Sequence, residues 1–87
     1  PYDAKAAMNS VQRLAKSSNY GCRHMHGGSG YSGTVTFGPN GRPVRVTVDP
    51  VFPISQRGPC VRSHVSGATV SPYAGKETHD VPFAVSF

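Results

Sequence analysis

The stretch Cys-Arg-His-Met-His-Gly-Gly-Ser-Gly, residues 22–30, holds the residue types in this chain that are most able to do chemistry. Together with a second stretch downstream it supplies five potential metal ligands: Cys22, His24, His26, Cys60 and His64. Zinc takes four sulfur or nitrogen ligands in a tetrahedron, and an i, i+4 pair on a helix can present two of them. A zinc module is therefore one interpretation, although Cys-x-His-x-His is not a usual zinc spacing.

A disulfide between Cys22 and Cys60 is the simpler interpretation, and we favour it. An even pair of cysteines in a small basic domain indicates a crosslink and an oxidising compartment. If two helices cover the same sheet face, their ends can approach to disulfide distance. Closing this loop would stabilise the fold by about 4 kcal/mol in the chain-entropy model, a large fraction for a domain with a small core. His24 and His26 are then polar loop residues, and no metal or other cofactor is expected.

Catalysis finds little support in the residue pattern. Cys60 and His64 could act as a thiol nucleophile and its base, but no neighbouring Asn or Asp would orient the histidine. The Gly-Gly-Ser-Gly run lacks the Lys-Ser/Thr end of a phosphate-binding loop. The four acidic residues show no spacing that would indicate a catalytic pair of carboxylates. They are Asp3, Asp49, Glu77 and Asp80. We therefore expect a protein that is not an enzyme.

The net charge of +5 comes from nine Lys and Arg residues that are spread along the chain. Scattered basic charge favours solubility over nucleic-acid binding, and no nucleic-acid-binding motif is present. No apolar run reaches membrane-spanning length and no signal-peptide pattern is visible. We expect one domain, residues 1–87, that is not itself in a membrane and is cut from a longer protein.

Hydrophobic periodicity predicts a helix over residues 3–17, capped by Asp3. Its apolar stripe consists of Ala4, Ala7, Val11, Leu14 and Ala15. Gly21 would allow a left-handed exit from the helix. Residues 22–32 hold glycines and serines without a period and predict a loop.

Residues 33–49 predict a β-hairpin around Gly-Pro-Asn-Gly, with positive φ angles at Asn40 and Gly41. Alternation predicts that Arg45 and Thr47 face water, whereas the buried face of the second strand carries Val44, Val46 and Val48. Pro43 should begin that strand, because proline cannot donate a ladder hydrogen bond.

The rest of the chain predicts a short helix over residues 60–68 and a third strand over 81–87. Phe52 and Ile54, between the hairpin and that helix, are expected to pack on the core, and Val70 and Tyr73 to anchor the segment before the last strand. Pro82 indicates that the last strand lies at a sheet edge. The resulting fold class is α+β: two layers, with two helices on one face of a three-stranded antiparallel sheet in the order α-β-β-α-β.

The order of these motifs resembles the C-terminal domain of TonB-like proteins, specifically the divergent AgmX/PglI type of myxobacterial envelope and gliding-motility proteins. The resemblance covers residues 3–87. Its motifs are Gly33, Val35 and Phe37; Pro39, Asn40 and Gly41; Cys60; Pro72, Tyr73 and Gly75; and Phe83 to Phe87, with Cys22 after the first helix. Two features depart from the pattern: residues 22–30, where a Lys- and Pro-rich run is common, and Gly58-Pro59 ahead of Cys60.

The resemblance implies a periplasmic protein-interaction domain whose parent protein is anchored in the inner membrane. Such domains bind a short segment of an outer-membrane or periplasmic partner by β-augmentation and couple it to an energy-transducing machine for transport or gliding. The expected binding strand comprises Val81, Pro82, Phe83, Ala84, Val85, Ser86 and Phe87. The alternative is that the first helix or a second copy of the domain, in a homodimer, covers this edge, since an exposed apolar strand invites aggregation.

Overall fold

A computed structural model describes residues 1–51 and 55–87. The elements follow one another as α1 (Ala4–Cys22), β1 (Gly30–Phe37), β2 (Pro43–Asp49), α2 (Arg57–Val65) and β3 (His79–Ser86). Helix α1 packs on β3 and on α2, and α2 packs on β2. This architecture confirms the predicted α+β fold class. The expectation for Phe52 and Ile54 falls outside the described residues.

Helix α1 begins where the sequence predicts and ends later. The Asp3 carboxylate accepts a hydrogen bond from the Ala6 amide at 3.0 Å, which satisfies a free donor of the first turn. The helix continues to Cys22 because Ser18 and Cys22 extend the buried stripe of Ala7, Val11 and Ala15. The Ser18 hydroxyl donates to the Ala15 carbonyl at 2.5 Å, so this polar side chain is buried with its hydrogen bond made. The predicted left-handed exit at Gly21 is wrong, since Gly21 lies within the helix.

Strand β1 lies at the centre of the antiparallel sheet, whose order is β2-β1-β3. Val35 of β1 stands opposite Val46 of β2 and Val81 of β3. The strand begins at Gly30, before the predicted start at residue 33, and this extension buries Tyr31. The prediction that residues 30–32 belong to a loop is therefore wrong.

The hairpin forms as predicted, with a bulge that the alternation did not reveal. Gly41 takes φ 83°, whereas Asn40 does not adopt a positive φ. A register shift between Thr36 and Phe37 offsets the strands next to the turn. Val44, predicted to be buried, is consequently 61 % exposed.

Beyond the bulge the predicted alternation holds. Val46 and Val48 are buried, and Arg45 and Thr47 are exposed, as expected. Pro43 begins the strand, where its missing amide hydrogen costs no ladder bond.

Helix α2 lies three residues earlier than predicted, over 57–65 rather than 60–68. Pro59 falls within its first turn, where an N–H has no intrahelical acceptor. Val61 and Val65 are fully buried, and Ala68 is buried just beyond the helix.

The segment between α2 and β3 is held by the residues predicted to anchor it. The Val70 amide donates to the Gly41 carbonyl at 2.9 Å, and the Tyr73 amide donates to the Pro39 carbonyl at 3.0 Å. The Tyr73 hydroxyl lies 2.8 Å from the Glu77 carbonyl and 3.2 Å from the Phe37 carbonyl, so its hydrogen is shared between them. Burial raises the pKa of Tyr73, and the Glu77 charge raises it further.

At Gly33 the central strand lies close to both neighbouring strands. A Cβ at this position would lie 1.9 Å from the Thr47 carbonyl oxygen and 2.9 Å from the Phe83 ring. We predict that Gly33→Ala lowers the free energy of unfolding by about 1–3 kcal/mol, because backbone and core must both shift. Gly30→Ala is the matched control, since its Cβ would meet only the Val85 carbonyl at 3.8 Å. Equal denaturation midpoints for the two variants would contradict this account.

Candidate functional site

The two cysteines join the helices where the end of α1 meets the start of α2. Cys22 is the last residue of α1, and Cys60 lies in the first turn of α2. Their Cα atoms are 5.8 Å apart and their sulfurs form a disulfide that spans a sequence separation of 38. The predicted pairing is therefore confirmed. Cys22 is fully buried, and Cys60 is partly buried.

His64 lies beside this disulfide, as its i+4 spacing from Cys60 predicted. One ligand atom from each of Cys22, Cys60 and His64 lies within 4.8 Å of the other two. A Cβ on Gly21 would stand only 2.6 Å from the His64 Nε2 atom, so the imidazole packs directly against the α1 backbone. In the disulfide, neither sulfur is a thiolate, which is the form of cysteine that binds metal.

The other two histidines of the five-residue ligand set are not brought to this cluster. Within residues 1–51 and 55–87, only Cys22, Cys60 and His64 form a group with metal-ligand geometry. His24 and His26 have exposed side chains in the turn after α1.

The main chain of that turn has a structural function. The His26 carbonyl accepts hydrogen bonds from the Gln56 amide at 2.8 Å and the Arg57 amide at 2.9 Å. It thereby satisfies free donors at the start of α2. Of the stretch 22–30, residues 23–29 form a loop that begins at the disulfide, and its backbone caps the second helix.

Arg57 joins the elements around the disulfide, which the sequence did not reveal. Its guanidinium donates to the carbonyls of Cys22 at 3.3 Å, Arg23 at 2.9 Å and Gly28 at 2.5 Å. Two of these carbonyls belong to the end of α1, where a cation also complements the helix dipole. The same guanidinium lies 4.6 Å from the centre of the Phe87 ring. One side chain thus links both helices, the loop and the end of β3.

Strand β3, which carries the predicted binding residues, lies at an edge of the sheet. Pro82 has no N–H, so its backbone must face away from β1, and alternation places Ala84 and Ser86 on the same outer side. Two side chains of helix α1 reach these groups. The side-chain amide of Gln12 donates to the Ala84 carbonyl at 3.1 Å, and the side-chain amide of Asn19 donates to the Ser86 carbonyl at 2.5 Å. Two outward acceptors of this edge are therefore already bound within the domain.

One groove lies beside β3, and a smaller one lies at the carboxyl end of β2. One, of about 520 Å³, separates α1 from β3 and is lined by Gln12, Lys16, Asn19, Tyr20, Arg23, Ala84, Val85 and Ser86. The other, of about 170 Å³, separates β2 from α2 and is lined by Val48, Pro50, Val51, Ser55, Gly58, Pro59 and Arg62. Neither helix of the described chain is long and apolar enough to cross a membrane.

No family model matches the chain, and comparison with curated proteins and with solved structures found no match. The resemblance to TonB-like domains therefore rests on the sequence motifs, and the function that it implies is a proposal.

Because Arg57 donates hydrogen bonds to three backbone carbonyls, we expect even a substitution that keeps its positive charge to destabilise the domain. We expect Arg57→Lys to lower the free energy of unfolding by about 1–3 kcal/mol, because one ammonium cannot replace a planar fork that serves three carbonyls. Arg13→Lys, at an exposed position of α1, is the control and should change it by less than about 0.5 kcal/mol. Urea denaturation of the oxidised proteins measures both values. A loss at Arg57 no larger than that at Arg13 would show that these bonds contribute nothing.

Proposed function

We propose that this chain is a non-enzymatic protein-interaction domain of the TonB-like kind, which binds an extended segment of a partner protein as an additional strand. The observation that carries the proposal is the open sheet: among residues 1–51 and 55–87, β2 and β3 each pair with β1 on one side only. Unpaired N–H and C=O groups on an outer strand form a template for another chain. Backbone hydrogen bonds then supply affinity, and pockets for alternate side chains supply selectivity.

The layered architecture supports this mode of binding. Both helices lie on one face of the sheet, so an additional strand can extend the sheet without displacing either helix. The opposite face carries small or polar side chains at exposed positions of all three strands, among them Ser32, Thr47, Ala84 and Ser86. A partner strand would extend both the helix-covered face of the sheet and the opposite face.

The disulfide supports a compartment outside the reducing cytoplasm. Disulfides persist in oxidising environments such as the bacterial periplasm, which is where the resemblance places TonB-like domains. We propose a periplasmic domain whose parent protein is anchored in the inner membrane and whose partner is an outer-membrane or periplasmic protein. The domain would couple that partner to a transport or gliding machine.

Selection of peptides, followed by backbone methylation, tests the proposal without assuming which edge is used. A phage library of random peptides is selected on the oxidised domain, and the best binder is resynthesised with one N-methyl amide at each position in turn. An added strand directs every second amide toward the domain. We expect methylation to weaken binding about tenfold at alternate positions, and little at the positions between them.

Loss of affinity without this period of two would contradict β-augmentation, as would a selection that yields no binder. The matched control is a peptide of the same composition in scrambled order. Sedimentation of the domain alone identifies the remaining alternative, a homodimer in which a second copy supplies the strand.

A further inference from the structure

We infer that the strand open to a partner is β2 rather than β3, and that the segment it binds alternates apolar and acidic residues. This inference rests on the proposed function, since it names the edge and the partner chemistry of the same activity. It departs from the sequence-based expectation, which placed the partner beside residues 81–87.

The β3 edge is occupied at three consecutive outward-facing positions. Pro82 offers no donor, and the Ala84 and Ser86 carbonyls accept from Gln12 and Asn19 of α1. A partner strand on this side would first have to displace both side-chain amides. Proline and covering groups of this kind are the usual means by which proteins prevent pairing at an edge.

The β2 edge carries no such cover within the part of the chain that the structure describes. Thr47 stands opposite Thr34 and faces β1, so the backbone groups of Val46 and Val48 on either side of it point outward. No hydrogen bond from the described residues reaches those outward groups, in contrast to the bonds made by Gln12 and Asn19 at β3. With respect to residues 1–51 and 55–87, the edge therefore offers two donors and two acceptors.

The groove between β2 and α2 defines half of the partner's side chains. Its wall is mainly apolar, with Val48, Pro50 and Val51 among its lining residues, and Val51 is 81 % exposed. Alternate side chains of a strand paired with β2 would turn toward this groove on the helix face of the sheet. Apolar side chains there would cover the exposed valine.

The charge around β2 defines the other half. Arg45 is exposed on the outer face, Arg42 precedes the strand, and Arg62 lines the groove. The acidic residues nearby are Asp49 on β2 and Asp80, which lies across the sheet on β3 and accepts a hydrogen bond from the Thr36 hydroxyl at 2.6 Å. Acidic side chains that alternate with the apolar ones would lie on the outer face, where they complement Arg45. Arg62 lies in the groove and not on that face, and Asp49 shares that face only at the end of the strand.

The probe is the capped peptide Val-Glu-Val-Glu-Val-Glu-Val, compared with Val-Lys-Val-Lys-Val-Lys-Val, added to the oxidised ¹⁵N-labelled domain. Nuclear magnetic resonance measures amide hydrogen exchange residue by residue. We expect the glutamate peptide to slow exchange at Val46 and Val48 about tenfold or more, and to leave Ala84 and Ser86 unchanged. The lysine peptide should protect neither pair.

A charge reversal distinguishes binding at the β2 edge from general attraction to the positive charge of the domain. Arg45→Glu should weaken the binding of the glutamate peptide about tenfold. Lys16→Glu, in the groove beside β3, should leave that binding unchanged. Both positions are exposed, so both variants should fold. Two-dimensional spectra of the free variants confirm that they do.

Protection of Ala84 and Ser86 in place of Val46 and Val48 would overturn the choice of β2 and leave the proposed function intact. Equal protection by the two peptides would overturn the acidic character of the partner. Absence of protection at both edges with both peptides would overturn this inference. The proposed function itself fails only if the selected peptides lack alternate methylation effects or no binder is selected.

Discussion

The structure depends on one junction, where the carboxyl end of α1 meets the amino end of α2. Helix ends leave carbonyls and amides without intrahelical partners, and in a small domain these groups cannot all be left to water. Here the disulfide fixes the distance between the two ends, Arg57 binds the free carbonyls of one, and the His26 carbonyl binds the free amides of the other. A covalent bond and a set of charge-assisted hydrogen bonds thus act on the same few residues. They hold both helices on one face of the sheet.

The unequal lengths of the helices then distinguish the two edges. Helix α1 has 19 residues and lies along β3, so it carries Gln12 and Asn19 to the outward carbonyls of that strand. Helix α2 has 9 residues and meets β2 near its carboxyl end, where a groove remains. The same packing that covers β3 leaves the outward backbone groups of Val46 and Val48 without a hydrogen bond from any residue that the structure describes. This asymmetry is the basis of our proposal that a partner strand adds to β2.

Local patterns were enough to predict the elements and their order. The alternation at Val46 and Val48 predicts a strand, and Gly41 predicts a turn, because each pattern depends on a short stretch of chain. The two cysteines predict a disulfide because of their chemistry. The extension of α1 could also have been found, because Ser18 and Cys22 continue its apolar stripe once a serine is allowed in the core.

Other features could not be predicted because their causes lie in the main chain of distant residues. Arg57 was one of nine scattered basic residues, and each of its hydrogen-bond acceptors is a backbone carbonyl, which has no sequence signature. The exposure of Val44 follows from a register shift that a strict period of two conceals. The cover over β3 required two amide side chains on α1 to meet a strand far away in sequence.

The most direct test of this account is amide hydrogen exchange in the free, oxidised domain. If β2 is an open edge, Thr47, which faces β1, exchanges slowly, and its neighbours Val46 and Val48 exchange at rates close to those of unprotected amides. This alternation along one strand is the predicted result. Slow exchange at all three residues would show that β2 is covered, and the account of the open edge would be wrong.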